Sequence, residues 1–256
     1  MPRKKRIEIP GFHHVHNKSI DNLYVLKNKV DKEKFIEILQ DVAIQYNLTI
    51  HSYCITDTSY HLLVENSLPN LSLAMRQLNS IYAMHFNKKL NRQGHVWQDR
   101  FKSWYISNLK YLQTIYKYIE SCPIFEGLAS NIGEYKYSSS FMILNNSILE
   151  CSKKSFILNR FTKDELIEYF QTPLTNEENA SIYEFRKEKV TIENEKFVKQ
   201  KVQSLYYIFK DSKSKQERNE KILYAFRKGY KQSEISNYLK LSDSSISKII
   251  LKSRNS

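Results

Sequence analysis

The stretch ITDTSYHLLVEN, residues 55–66, sets a histidine, His61, in a strand-like alternation with a serine two residues before it. Side chains alternate along a strand with period two, so Asp57, Ser59, His61, Leu63 and Glu65 share one face, and Tyr60, Leu62 and Val64 share the other. An imidazole on the mixed face is a candidate metal ligand, or half of a ligand pair. Tyrosine is the second residue type with chemical reach, and the chain has eighteen. A phenolate can attack a phosphodiester and keep the strand as a covalent phosphotyrosine while a divalent cation withdraws charge from the non-bridging oxygens. Tyr118, in KYIESCP, stands on a basic helical stretch one turn before Cys122. By itself it reads as a core or surface tyrosine. Cys54, Cys122 and Cys151 are isolated, without a CxxC pair, which encodes neither a disulfide framework nor a zinc cluster.

The elements that must position these groups follow from periodicity. Residues 11–15 read as a strand entry. KVDKEKFIEILQDVAIQYN has helical spacing, with Asp31 as the expected N-cap. TIHSYCI and SYHLLVEN read as strands joined at residues 56–58. PNLSLAMRQLNSIYAMHFNKKL is a helix whose Leu71, Met75, Leu78, Tyr82 and Phe86 form one stripe. A turn at Gly94 leads to a fourth strand, and NLKYLQTIYKYIESCP is a helix expected to stop at Pro123. The order predicts an α+β domain over residues 1–148: a ferredoxin-like antiparallel sheet with helices on one side. Residues 149–212 read as a helical connecting region in which strand patterns stop and Thr162 with Glu165 forms a capping box.

Residues 213–256 carry eleven basic and four acidic side chains. Ile222, Leu223 and Phe226, then Ile235 and Leu239, then Ile246, Ile249 and Ile250 give three short helices a common packing side, with a turn at Leu241–Asp243. That is helix-turn-helix spacing, an all-α region suited to duplex DNA, with Lys231, Ser244, Ser245, Ser247 and Lys248 toward bases or phosphates.

The whole chain has forty Lys and Arg against twenty-seven Asp and Glu, a formal charge of +13, with 41% hydrophobic residues. Seven of the basic residues and a single acid fall in residues 85–118. Such an excess favours a polyanion through counterion release. Lys18, Lys88, Lys89, Arg92, Arg100 and Lys102 are the candidate phosphate contacts, and Trp104 is a candidate for stacking on unpaired bases, as are Trp97 and Tyr105. There is no run of about 18 apolar residues, and MPRKKRIEIPG has no apolar stretch behind its charge. The expectation is a cytoplasmic protein with DNA as partner and no membrane.

GFHHVHNK, SYCITDTSYHLLVE, MRQLNSIYAMHFNKK, GHVWQDRFKS, YLQTIYKYIESCP and GLASNIGEYKYSSSF, in that order, resemble the successive motifs of the IS200-like single-tyrosine transposases, closest to the branch associated with repetitive extragenic palindromes. The resemblance implies a ferredoxin-like domain that binds single-stranded or hairpin DNA. It puts the nucleophile on Tyr118, the second histidine of a metal-binding pair on His61, the first on Ser59, and a third ligand, ordinarily asparagine, on Cys122. Two of three implied ligands have therefore changed type: a serine hydroxyl is a weak Mg²⁺ ligand and a thiol is soft. Asp57 and Glu65, on the face of His61, are the candidate substitutes, and a softer ion such as Zn²⁺ is the variant such a set would suit. The expectation is a DNA-binding family member with a degenerate metal site and weak or absent cleavage. The alternative is an active transposase or nickase that uses Mg²⁺ or Mn²⁺ and forms a 5′-phosphotyrosine through Tyr118. Without that activity no cofactor is expected.

Overall fold

Alternation of apolar and polar residues between positions 11 and 106 produces four strands: β1 (Gly11–Lys18), β2 (Leu48–Ile55), β3 (Ser59–Asn66) and β4 (Lys102–Ile106). The structure is a computed structural model describing residues 8–172, 174–187, 189–193, 196–200, 205–210, 212, 214–227, 230 and 232–252. The four strands make one antiparallel sheet in the order β2-β3-β1-β4. With α1 (Lys29–Gln45) between β1 and β2 and α2 (Leu71–Lys89) between β3 and β4, this is the ferredoxin-like arrangement.

The two sheet faces have different covers. Val15, Ile50, Tyr53, Tyr60, Leu62 and Val64 point to the apolar side, where Phe35 and Leu39 of α1 and Met75, Leu78 and Tyr82 of α2 complete a core. All five residues of the α2 stripe are buried. The opposite face carries Cys54 and Leu63 and is covered by α3 (Leu109–Phe125), so helices lie on both sides of the sheet. After α4 (Ser139–Leu144), three further helices add Ile157, Leu166, Phe170 and Ile182 to that second core: α5 (Phe156–Arg160), α6 (Lys163–Gln171) and α7 (Asn176–Lys187). Thr162 and Glu165 form the capping box expected at the start of α6.

Several local expectations are corrected. The N-cap of α1 is Asn28, whose side chain accepts from the Asp31 backbone N–H at 2.9 Å. Asp31 is buried and instead accepts from Lys89 Nζ at 2.6 Å. Pro123 does not stop α3. A proline removes one backbone donor, which is tolerable so close to the end, and Glu126 N–H closes on the Cys122 carbonyl at 3.1 Å. The region after residue 148 is not wholly helical, because β5 (Lys189–Glu193) and β6 (Lys196–Gln200) pair as an antiparallel hairpin. The β-branched run Val190, Thr191 and Ile192 suits such a strand.

The chain forms two compact units, residues 1–186 and 187–256, so α4 to α7 belong with the sheet and not with a separate connector. In the second unit, α8 (Leu205–Phe209), α9 (Lys215–Arg227), α10 (Gln232–Leu239) and α11 (Asp243–Lys252) share a core of Ile208, Phe209, Ile222, Ala225, Tyr230, Ile235, Ile246 and Ile250. Lys240, at φ +53°, makes the left-handed turn between α10 and α11. No helix among the described residues is long and apolar enough to cross a membrane.

Candidate functional site

Register brings the histidines together. His16 lies opposite His61 and His14 opposite Leu63 across the β1–β3 ladder, so His14 and His16 share the sheet face of His61, while His13 lies on the other parity. The His16 and His61 rings stack with centroids 4.2 Å apart. His14 Nε2 and His61 Nδ1 are 3.1 Å apart in a hydrogen bond. Over this face α3 presents Tyr118, whose ring centroid is 5.9 Å from both His14 and His61. One turn later Cys122 donates its thiol to the Tyr118 carbonyl at 3.4 Å.

The pose of α3 is held by Glu120, a wholly buried carboxylate two residues past Tyr118. It accepts from Ser52 Oγ of β2 at 2.6 Å, from the Ser140 backbone N–H at 2.9 Å and from Ser139 Oγ. Burial raises its pKa and the serine donors oppose that rise. Such a group fixes the rotation of a helix, because any other rotation leaves a carboxylate buried without donors.

A residue from far along the chain completes the site. The guanidinium of Arg186, in the last turn of α7, lies 4.5 Å from the Tyr118 ring centroid and 5.3 Å from that of Trp104. The Trp104 indole N–H donates to the Arg186 carbonyl at 3.1 Å, which anchors this end of α7 to β4. Trp104 also meets the His14 ring at 5.1 Å. It is a wall of the site, with His14 and Arg186 against it, and not an open platform for a base.

The field here is positive. Burial lowers the pKa of His14 and His61 well below the ordinary histidine value, with Arg186 adding to both shifts. Burial, Lys102, Arg186 and Lys18 bring His16 down to about 4. All three imidazoles are therefore neutral at pH 7, and the local charge comes from Arg186, Lys102 and Lys18. Burial raises the pKa of Tyr118, as does Cys122, against an opposing hydrogen bond and charge from Arg186. The phenol is protonated at neutral pH.

The ligand set fits a hard divalent cation poorly. Ser59 is buried and its hydroxyl is 3.0 Å from Thr56 Oγ1. Cys122 is engaged with Tyr118 and with the buried thiol of Cys54. The two candidate substitutes are turned elsewhere. Asp57 accepts from Lys32 Nζ at 2.6 Å, and Glu65 from His51 Nε2 at 3.0 Å. Glu65 is also four residues along β3 from His61, about 13 Å at 3.3 Å per residue. Among the described residues no three His, Cys, Asp or Glu side chains converge to hold a metal ion. Mg²⁺ demands near-octahedral oxygen ligands; the carboxylate that reaches a ligand position is Glu126, at Ser59, and the charge of Arg186 bears on His61.

Sequence reasoning missed two participants. Glu126, in the turn that follows α3, hydrogen-bonds the hydroxyls of Thr56 and Ser59, and burial raises its pKa. Arg186 falls in YEFRKEKV, residues 183–190, a block that resembles one in some IS200-like relatives, but nothing in the block marked it for a role.

The remaining candidates are spread over the surface. Lys88, Arg100 and Lys102 are exposed and Lys18 is half-buried. Lys89 is paired with Asp31. Arg92 is half-buried over the Phe86 ring at 5.7 Å. Arg100 borders a hollow of about 600 Å³ with Asn79, Trp97 and Asp99. Trp97, half-buried, packs against the main core and donates its indole N–H to the Asn79 carbonyl at 3.0 Å. Lys117, counted in the basic stretch, is buried over the Tyr169 ring. In the second unit Ser244 and Lys248 are exposed, and Ser245 and Ser247 are half-buried. The Ser244 and Ser245 hydroxyls are hydrogen-bonded to Ser242 at 3.0 and 2.8 Å. Lys231 lies outside the described residues.

Residues 18–122 match the sequence model of the IS200-like transposases. Of solved structures, a REP-associated tyrosine transposase bound to a REP hairpin is similar at 15% identity and a TM-score of 0.49, over 59% of this chain and 90% of that one. A protein of Deinococcus radiodurans R1 assigned as a transposase is similar at 19% identity and a TM-score of 0.33, over 47% of this chain and 97% of that one. No curated protein matches the sequence.

Proposed function

We propose that this chain, whose residues 18–122 match the sequence model of the IS200-like transposases, binds single-stranded or hairpin DNA with a metal site that has decayed. The observation that carries this reading is the fate of the ligand positions. Ser59 is occupied by Thr56, Cys122 by Tyr118 and Cys54, and the nearby carboxylates Asp57 and Glu65 by Lys32 and His51. A cation entering beside His61 would meet the neutral His14 and His16 imidazoles and, at Ser59, the Glu126 carboxylate. Two of the implied ligands would be a serine and a thiol, however, and the Arg186 charge would oppose the cation. A protonated Tyr118 is a poor nucleophile without such a cation. Strand binding falls to the exposed Lys88, Arg100 and Lys102. The second unit adds a grip on duplex DNA through Ser244, Ser245, Ser247 and Lys248 of α11, as in a helix-turn-helix.

One observation favours the alternative, an active transposase or nickase: Tyr118 is present and in ring contact with His61. Incubation with labelled hairpin and single-stranded DNA in Mg²⁺ or Mn²⁺, read on denaturing gels, separates the two. The expected result is binding without a covalent adduct. An adduct formed by the unmodified protein and abolished by Tyr118→Phe would establish the alternative.

A further inference from the structure

We propose that Arg186 is a receptor for one phosphodiester of a bound DNA strand, held beside the Tyr118 hydroxyl at the position that the family resemblance gives to a metal ion. The inference rests on the DNA-binding reading above.

Its first support is hydrogen bonding. Arginine carries five N–H donors and is never neutral in a protein. In Arg186, Nε and Nη2 are both buried and have no acceptor among the described residues. Stacking between Tyr118 and Trp104 satisfies the face of the guanidinium through its attraction to the rings. It does nothing for those two nitrogens, whose N–H groups lie in the guanidinium plane. Arg186 shares a hydrogen bond with Tyr118, yet two buried donors of a charged group without acceptors are costly to maintain, and Nε with one Nη is the pair that grips two oxygens of a phosphate in a fork.

Its second support is the surroundings. No carboxylate pairs with Arg186 among the described residues, and its charge bears on the neutral His14, His16 and His61. His14 Nδ1, beside it, is likewise buried without a partner. The guanidinium with its two open donors therefore attracts an anion. A phosphodiester has the oxygens the fork lacks, a single negative charge, and an attached sugar and base that extend toward Lys102 and Lys18. Anchoring of the Arg186 carbonyl by Trp104 places the fork before any ligand arrives, so little order is lost on binding.

The test is fluorescence anisotropy with a labelled single-stranded oligonucleotide in EDTA, which removes metal from the comparison. Arg186→Gln is expected to weaken binding about tenfold or more and to lower the slope of log affinity against log salt by about 0.7. A set of oligonucleotides, each with one phosphate replaced by an uncharged methylphosphonate, should contain one position that costs the wild type about tenfold and costs Arg186→Gln almost nothing. Lys88→Gln should lower affinity while leaving that coupling intact. Arg186→Lys should keep the salt slope and lose part of the affinity, since an ammonium supplies charge without the fork. The methylphosphonate series on wild-type protein is independent of how any variant folds, and a flat series overturns the proposal. Equal cost of every methylphosphonate in wild type and Arg186→Gln does so too. Failure of the wild-type protein to bind the oligonucleotide at all would sink the DNA-binding reading itself, a different and recognisable result.

Discussion

Acidification should loosen the first unit by releasing His51. This imidazole sits on β2 with its ring 5.2 Å from Phe12 and 4.9 Å from Phe156. Its Nδ1 accepts the Phe156 backbone N–H at 3.2 Å at the start of α5, so the neutral ring carries its proton on Nε2 and donates it to Glu65 at 3.0 Å. Protonating Nδ1 would turn that acceptor into a donor facing another donor. Burial lowers the His51 pKa from 6.5 to about 4. The native state thus favours the neutral form, and the unfolded chain takes up the proton first as pH falls. The resulting stability is fully present above pH 6.5 and is lost between 6.5 and 4. At 1.36 kcal/mol per pKa unit, the loss is at most about 3 kcal/mol. Glu65 works against it, because burial raises its pKa and its protonation at low pH favours the folded state. His16, also lowered to about 4, adds a second loss over the same window. His51→Asn isolates the first, since an asparagine carbonyl can accept from Phe156 and does not titrate. Urea unfolding at pH 7.5, 5.5 and 4, followed by the fluorescence of Trp97 and Trp104, reads the first unit alone, as both tryptophans of the chain lie in it. The wild type should lose about 2–3 kcal/mol more than His51→Asn across that range. Parallel pH dependences of the two proteins would refute the reasoning.

Two further outcomes concern the site and the second unit. Ser59→His combined with Cys122→Asn should create Mn²⁺ affinity, visible at a hundredfold excess over Kd as about 2.7 kcal/mol of stabilisation, or a melting temperature raised by roughly 5–10 °C. If the cleft survives, the pair should also form a DNA adduct that Tyr118→Phe abolishes, and a melting temperature indifferent to Mn²⁺ would count against the ligand assignment. Removing residues 187–256 should leave the sheet unit folded, by circular dichroism, while duplex affinity falls and its salt slope drops by about 0.9 for each phosphate that the second unit neutralises. An unchanged slope would show that the four helices pack without gripping DNA.

Period-two alternation in SYHLLVEN and period 3.6 along the α2 stripe were legible because they are local: each depends only on backbone geometry and on which side chains avoid water. The same locality put Tyr118 one turn before Cys122, and Thr162 in its capping box. What surrounds Tyr118 came from pairing between distant segments. The β1–β3 register stacks His16 on His61, and a slip of one residue would have sent both His14 and His16 to the other face. Asp57 and Glu65 looked available as ligands by parity, yet Lys32 on a helix and His51 on the neighbouring strand hold them. Arg186 enters only because α7 folds back over the sheet through Ile182 and is anchored by Trp104. Periodicity chooses the face on which a side chain lies; the long-range burial of that face chooses its partners, and at this site the partners decide whether a cation or a phosphate is welcome.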